Sequence, residues 1–318
     1  MYGILFCALG TIMYTVGILM VFPRYLFVLN RLLLPLDEWI VWYSGVPMII
    51  GFSLSLIDLF ILLPIKRNVD TRPFVSYRNS KVVVALTAFN DEASIGATVE
   101  DFLKHPVVSA VIVVSNNSTD DTLLRAEQTG AIVHNEVNQG YGHCVYRCLQ
   151  ESLNYEAADL IVLCEGDQTF RAYDLDKLLA YLPHADIVNG TRTVEPLRQY
   201  KTQLSTFMYY GNFFVGKLLE AKHLGKGTIT DVGTTYKLCR KEAVGKLLPV
   251  LDPRINLEFN AHFLDSALEK GLRLVECPVT FHPRVGESKG GNRSNIRALQ
   301  VGLRMMSGIV FGWRYRRP

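Results

Sequence analysis

Two carboxylates stand one residue apart in the stretch VLCEGDQTF, Glu165 and Asp167, where the apolar run LIVLC breaks off. On a tight turn such a pair offers oxygen ligands, and Mg²⁺ or Mn²⁺ takes one or two carboxylates together with substrate phosphates. Short acidic turns after strands are common, so the pair alone favours an ordinary solvated strand end. Its company changes that. TAFNDE ends the first β-like run, SNNSTDDT the second and EGDQTF the fourth, so three strand ends deliver polar or acidic groups to one edge. In open α/β sheets the carboxyl ends of the strands are where ligands bind.

The elements that must hold these residues can be read from hydrophobic patterning. From Lys81 onward short β-branched runs alternate with longer helical stretches, which predicts βαβ units and a mainly parallel sheet. KVVVALT, SAVIVVS, AIVHN and DLIVLC read as strands one to four, ADIVNGTR and LRLVECPVTFH as later ones. Asp91 and Glu92 are expected to open a helix over DEASIGATVEDFLK, acids favouring its positive end. NQGYGHCVYRCLQESL reads as a Gly-rich turn into a helix, QLSTFMYYGNFFVGKLLEAK as a long helix and NAHFLDSALEKG as another. The segment from Ile296 to Phe311 carries Arg297 and Arg304 among apolar residues and precedes WRYRRP. It reads as a last helix packed on the domain or, the reading adopted, as an amphipathic helix on an anionic membrane surface.

The first 65 residues are different. No residue from Gly3 to Phe22 is charged, and from Ile40 to Ile65 the single charge is Asp58. A transmembrane helix needs about 20 apolar residues, so both stretches are long enough. MYGILFCALG lacks the basic start of a cleaved signal peptide, and an anchor is expected instead. PRYLFVLNRLLLPLDE, between the spans, carries Arg24 and Arg31 and is a candidate for the headgroup region. Lys66, Arg67, Arg72, Arg78 and Lys81 come after the second span and, by the positive-inside tendency, place the remainder of the chain in the cytosol. Asp58 is either functional, because burying charge in a bilayer is expensive, or simply reaches the interface. The 6 cysteines lack zinc or disulfide spacing and are expected as reduced thiols, and a net charge of +3 gives no reason to expect a nucleic-acid partner.

VVVALTAFNDEASI, VVSNNSTDDT, NQGYGHCV, LCEGDQTF, IVNGTR, TDVGTTYKLCRKEA and ECPVTFHPRVGESK, in that order, resemble glycosyltransferase family 2. The resemblance spans Lys81 to Gly290 and is strongest toward the dolichyl-phosphate mannose synthase and polyprenyl-phosphate glycosyltransferase branch. It implies an A-type glycosyltransferase fold, α/β and Rossmann-like, with a mainly parallel sheet flanked by helices, here joined to a two-helix anchor and a C-terminal amphipathic helix. The expected boundaries are 1–65 for the anchor, 66–80 for a linker, 81–275 for the catalytic domain and 276–318 for a phosphate-binding loop and interfacial helix.

Carried over by residue, the resemblance implies nucleotide contacts from Thr87, Phe89, Asp91, Asn116 and Glu165, where Thr87 replaces a proline, Asp91 a glutamate and Asn116 an aspartate. Glu165 and Asp167 take the place of the metal-binding Asp-x-Asp, and Thr169 stands where close relatives often have glutamine. Arg192, Arg198 or Lys201, and Arg284, Ser288 and Lys289 match acceptor or phosphate-gripping positions, a role that suits the planar fork of arginine. Asp231 matches a family aspartate and, with Asp167 and Arg192, is a candidate catalytic residue. Glu258 matches an acid ahead of a helix and is equally a helix-start charge.

The implied activity is membrane-bound, inverting and dependent on Mg²⁺ or Mn²⁺: a sugar moves from a UDP- or GDP-sugar to a polyprenyl (dolichyl or undecaprenyl) phosphate, at a bacterial or archaeal cell membrane or the endoplasmic reticulum. A lipid phosphate, with a second pKa of about 6, needs no strong base. The alternatives are a hydroxyl acceptor on a glycolipid, lipid-linked oligosaccharide or polysaccharide, for which Asp231 or Glu258 would be the base, and a non-catalytic scaffold with a degenerate fold. A dehydrogenase would want Gly-x-Gly-x-x-Gly after strand one, and TAFNDE is incompatible with it.

Overall fold

The computed structural model describes residues 1–26, 30–67, 80–200, 202–286 and 295–313. The chain forms two compact units, Met1–Val69 and Asp70–Pro318. Of the expected site residues, Lys201, Ser288 and Lys289 lie outside the described residues.

The first unit is helical: α1 (Tyr2–Leu26), α2 (Asn30–Tyr43), α3 (Gly45–Ile57), one π-helical turn over Asp58–Leu62, and α4 (Leu63–Arg67). Tyr2–Arg24 and Leu34–Ile65, of 23 and 32 residues, are long and apolar enough to cross a membrane. Of the segment expected between the spans, residues 23–26 belong to α1 and 30–38 to α2, and 25–33 lie outside both spans. Arg24 reaches Asp37 at 2.5 Å across that junction, which neutralises both charges locally.

α1 packs along α3 through Gly3, Gly10 and Gly51. A Cβ on Gly3 would stand 2.7 Å from the Gly51 carbonyl oxygen, and one on Gly10 2.7 Å from that of Ser44. Only glycine permits such backbone approach, a packing mode suited to lipid, where apolar burial does not drive helices together.

The second unit is built on a seven-stranded sheet in the order β3-β2-β1-β4-β6-β5-β7. Its strands are β1 (Val82–Ala88), β2 (Val108–Ser115), β3 (Ile132–Asn135), β4 (Leu160–Glu165), β5 (Ile187–Thr191), β6 (Lys237–Arg240) and β7 (Leu274–Pro278). All neighbours are parallel except β6, which runs antiparallel to both β4 and β5. Every residue of β1 is buried, as expected of a central parallel strand covered on both faces.

The pleat sends Val83 and Ala85 to one face and Val82, Val84 and Leu86 to the other. On the first face lie α7 (Tyr141–Asn154), α9 (Thr206–Lys222), α10 (Lys241–Leu247), α11 (Phe259–Glu269) and α12 (Asn295–Phe311); on the second lie α5 (Ile95–Leu103), α6 (Thr122–Gln128) and α8 (Leu175–Tyr181). The helix expected at Asp91 starts later, at Ile95: Asp91 forms the turn before it, its carbonyl oxygen accepting from the Ser94 and Ile95 amides. All six cysteines are free thiols, as expected.

Candidate active site

The chain leaves β1, β2 and β4 through a non-glycine residue in the left-handed region each time: Asn90 at φ 52°, Asn117 at φ 58° and Gln168 at φ 64°. Such conformations are uncommon and persist where the surroundings enforce them, often at functional sites. Here three adjacent strand ends turn back onto one another. The Asn116 amide donates to Ala88 O and that of Gly166 to Thr87 O, both at 2.9 Å. A Cβ on Gly166 would stand 2.6 Å from Ile95 Cδ1, so glycine between the two acids lets β4 close on α5.

These turns bring the expected nucleotide residues together. Thr87, Phe89, Asp91, Asn116 and Glu165 all line one cavity of about 540 Å³, with Asp167, Arg192 and Arg284. Asp91 is buried and accepts from the Phe89 amide at 3.0 Å and from Arg284 Nη2 at 3.1 Å. Asn116 spends its amide on the chain entering α7: Nδ2 donates to Asn138 O at 2.7 Å, and Oδ1 accepts from Gly140 N at 2.8 Å.

Asp167 is 1% exposed. Its Oδ1 accepts from Thr169 N at 3.0 Å and Thr169 Oγ1 at 2.6 Å, so Thr169 orients the acid. Its Oδ2 is buried without a hydrogen bond, with Arg284 Nη1 3.3 Å away. Burial, and then the neighbouring Glu165 charge, push its pKa up to about 7, against the pull of Arg284. Glu165 accepts from Thr235 Oγ1 at 2.7 Å through Oε1. Among the described residues no three His, Cys, Asp or Glu side chains gather as a metal cluster. A divalent ion here would therefore take two protein oxygens, from Asp167 and Glu165, and complete its shell from substrate phosphates and water, as Mg²⁺ usually does. The unbonded, buried Oδ2 fits that use.

Arg192, just past β5, and Asp231 form a two-pronged ion pair: Nε to Oδ2 at 2.7 Å and Nη2 to Oδ1 at 2.8 Å, with the Arg192 amide on Oδ2 at 3.1 Å. Burial acts to raise the Asp231 pKa, but the Arg192 charge and bonds outweigh it and hold it below the ordinary carboxylate value. Arg192 faces the cavity, whereas Asp231 is 1% exposed and stands behind it. Arg198 lies over the Tyr209 ring, 5.6 Å from its centroid, and is not part of the cavity wall. Glu258 starts α11 and pairs with Arg304 of α12.

Sequence reasoning missed several wall residues. Tyr141 opens α7 and contacts Thr235 and Asn260, and Asn260 accepts from Lys237, a lysine with no exposed surface whose pKa burial lowers to about 7. The signal was present in VGTTYK, where the chain departs from the family pattern. Also missed was the apolar end of the cavity, a trough walled by Phe207, Met208, Phe214 and Val215 of α9 and by Val301, Leu303, Met305 and Met306 of α12.

A family model described as glycosyl transferase family 2 matches residues 83–248. An uncharacterised glycosyltransferase of Mycobacterium tuberculosis is 30% identical over 222 residues, 69% of this chain and 94% of that protein. A dolichyl-phosphate hexose transferase of Haloferax volcanii is 25% identical over 214 residues, 67% of this chain and 88% of its own. Among solved structures, glucosyl-3-phosphoglycerate synthase from Mycobacterium tuberculosis, in complex with Mn²⁺, uridine diphosphate and phosphoglyceric acid, is similar with a TM-score of 0.54 at 18% identity, covering 75% of this chain and 84% of that one. That last likeness is one of fold. With its strand-end acids on one cavity and more than half its length matched by the family model, the chain belongs to glycosyl transferase family 2 and is a glycosyltransferase.

Proposed function

We propose that the protein is a membrane-bound, inverting glycosyltransferase that moves a sugar from a UDP- or GDP-sugar to a polyprenyl phosphate, with Mg²⁺ or Mn²⁺ as cofactor. One observation carries the reading: a single cavity joins the acid and arginine cluster at the strand ends to the apolar trough between α9 and α12. A soluble acceptor would have no use for that trough. A prenyl chain would bury its apolar surface there, and its phosphate would meet Arg192 and Arg284. The dolichyl-phosphate transferase among the relatives and the Mn²⁺ and uridine diphosphate of the structural neighbour support the same reading.

Asp167 and Glu165 would hold the metal, which when bound neutralises charge on the leaving nucleoside diphosphate. Thr87, Phe89 and Asp91 line the donor end, and Arg284, between Asp91 and Asp167, has the fork to hold phosphate oxygens. An acceptor phosphate oxygen attacks the anomeric carbon from the face opposite the diphosphate. The new carbon–oxygen bond forms as the bond to the β-phosphate oxygen breaks, its electron pair leaving with the nucleoside diphosphate, and the anomeric configuration inverts.

A hydroxyl acceptor would need a general base. Asp231 and Glu258, the two acids considered for it, are tied to Arg192 and Arg304. A phosphate acceptor, already ionised at neutral pH, asks for none.

The helices Tyr2–Arg24 and Leu34–Ile65 serve as the anchor, with the catalytic unit on the cytosolic side. Exposed Ile296, Val310 and Phe311 on α12 suit a helix lying at a bilayer surface. The deciding experiment offers the purified full chain radiolabelled nucleotide sugars with Mn²⁺ or Mg²⁺ and polyprenyl phosphate. Label in the lipid-phosphate product is expected. No label in that product, with label reaching a polyprenol-linked oligosaccharide offered in a parallel reaction, would sink the proposal.

A further inference from the structure

Glu165 carries one methylene more than the aspartate that the family pattern places there, and with it one more rotatable bond to fix. The structure supplies what fixes it. β6 is the antiparallel strand inserted beside β4, with Leu163 opposite Lys237. Continued two residues toward the cavity, that register sets Glu165 opposite Thr235, whose Oγ1 lies 2.7 Å from Glu165 Oε1.

The direction of each hydrogen bond is fixed by counting protons. Thr235 has one hydroxyl proton and Glu165 Oε1 takes it, so Thr235 Oγ1 must accept from Tyr141 Oη, 2.5 Å away. Tyr141 Oη, its proton thus committed, accepts from Asn260 Nδ2 at 3.0 Å. The Asn260 amide cannot flip without loss, because its Oδ1 accepts from Lys237 Nζ at 3.2 Å. The bonds that join these four residues therefore all run toward Glu165, Asn260 Nδ2 also reaching Thr235 Oγ1 itself at 3.3 Å, while side bonds go from Asn260 Nδ2 to Gly233 O and from Lys237 Nζ to Thr234 O. Thr235 and Lys237 have no exposed surface and Asn260 is 5% exposed, while Tyr141 is half-buried at the cavity wall. Among the described residues Glu165 Oε2 takes no hydrogen bond, and Glu165 faces the cavity.

We infer that Thr235, Tyr141, Asn260 and Lys237 are positioning residues that hold the Glu165 carboxylate with one oxygen free for the donor's metal–diphosphate group. The inference rests on the metal reading proposed above. It also gives two residues of VGTTYK a use: Thr235 and Lys237 do for the longer acid, together with Tyr141 and Asn260, what a shorter acid would not need.

The test is Mn²⁺ binding to the full chain in detergent with saturating uridine diphosphate, monitored by electron paramagnetic resonance, with nucleotide affinity in the absence of metal measured beside it. Removing an outer partner of a metal ligand typically costs about 10- to 100-fold in metal affinity. Thr235→Val is expected to weaken Mn²⁺ binding at least about tenfold while metal-free nucleotide affinity holds, and Thr235→Ser to restore it. Tyr141→Phe is expected to weaken Mn²⁺ binding less, since Thr235 keeps its proton, and it carries the test if the valine variant does not fold. Wild-type Mn²⁺ affinity in Thr235→Val or, where that variant does not fold, in Tyr141→Phe would overturn the positioning role, provided Asp167→Asn loses binding. Unchanged binding in Asp167→Asn would overturn the metal reading beneath it.

Discussion

At the scale of single residues the decisive contrast is between two buried aspartates. Asp167 keeps an oxygen without a hydrogen bond, whereas Asp231 has both oxygens engaged by Arg192. The first is equipped to bind something and the second to hold a neighbour. Asp167→Asn should abolish sugar transfer in the radiolabel assay, and normal turnover would remove Asp167 from the metal site. Asp231→Ala should destabilise the catalytic unit by about 3–5 kcal/mol, because it strands a buried guanidinium. A drop in the unfolding midpoint by differential scanning calorimetry checks this, and an unchanged midpoint with lost turnover would favour a base. Motif order put Asp167, Glu165, Asp91 and Arg192 near one another, and the cavity gathers them. It could not say that Arg192 takes Asp231 as its partner or that Arg198 turns to Tyr209. Pairings between segments far apart in sequence leave no local mark.

At the scale of elements, the central parallel strands β1 and β4 were legible because their burial on both faces writes a continuous apolar run. β6 was not: Lys237–Arg240 is four residues long, with a lysine at its start. Its strand character comes from β4 and β5, which it joins, and not from its own pattern. The close of α12 shows the same dependence. His262 of α11 accepts from the Asp252 amide at 3.1 Å through Nε2 and lies beside the Trp313 ring, 5.2 Å between centroids, so a neutral imidazole links three segments. Burial lowers its pKa from 6.5 to about 4. An unfolded chain takes up a proton at this position below pH 6.5, and the folded one does not until about 4. Its stabilising effect is therefore present above pH 6.5 and is lost progressively as pH falls toward about 4, by about 1.4 kcal/mol per unit. In His262→Gln, which keeps an acceptor, unfolding midpoints recorded across that window should fall less steeply, by close to one proton. Parallel profiles for variant and wild type would show that His262 is not buried neutral.

At the scale of the whole molecule the proposed reaction joins a water-soluble donor to a lipid-borne acceptor, and the two units divide the two demands. Met1–Val69 holds both apolar spans, and Asp70–Pro318 holds the cavity. An even number of spans puts the N-terminus and the catalytic unit on the same side. Five cations, Lys66, Arg67, Arg72, Arg78 and Lys81, come after the second span, and in the proposed orientation they would keep that side in the cytosol by resisting translocation. Nucleotide sugars are charged and reach the cavity only from the compartment that contains them, so orientation and activity are one question. Protease added to sealed inside-out vesicles should therefore remove the catalytic unit, and protease added to right-side-out vesicles should leave it intact. Replacing the five cations by glutamine should blur that asymmetry, because the spans themselves carry little to choose between the two directions. Cleavage in right-side-out vesicles alone would reverse the orientation and require the donor to be supplied from the other side of the membrane.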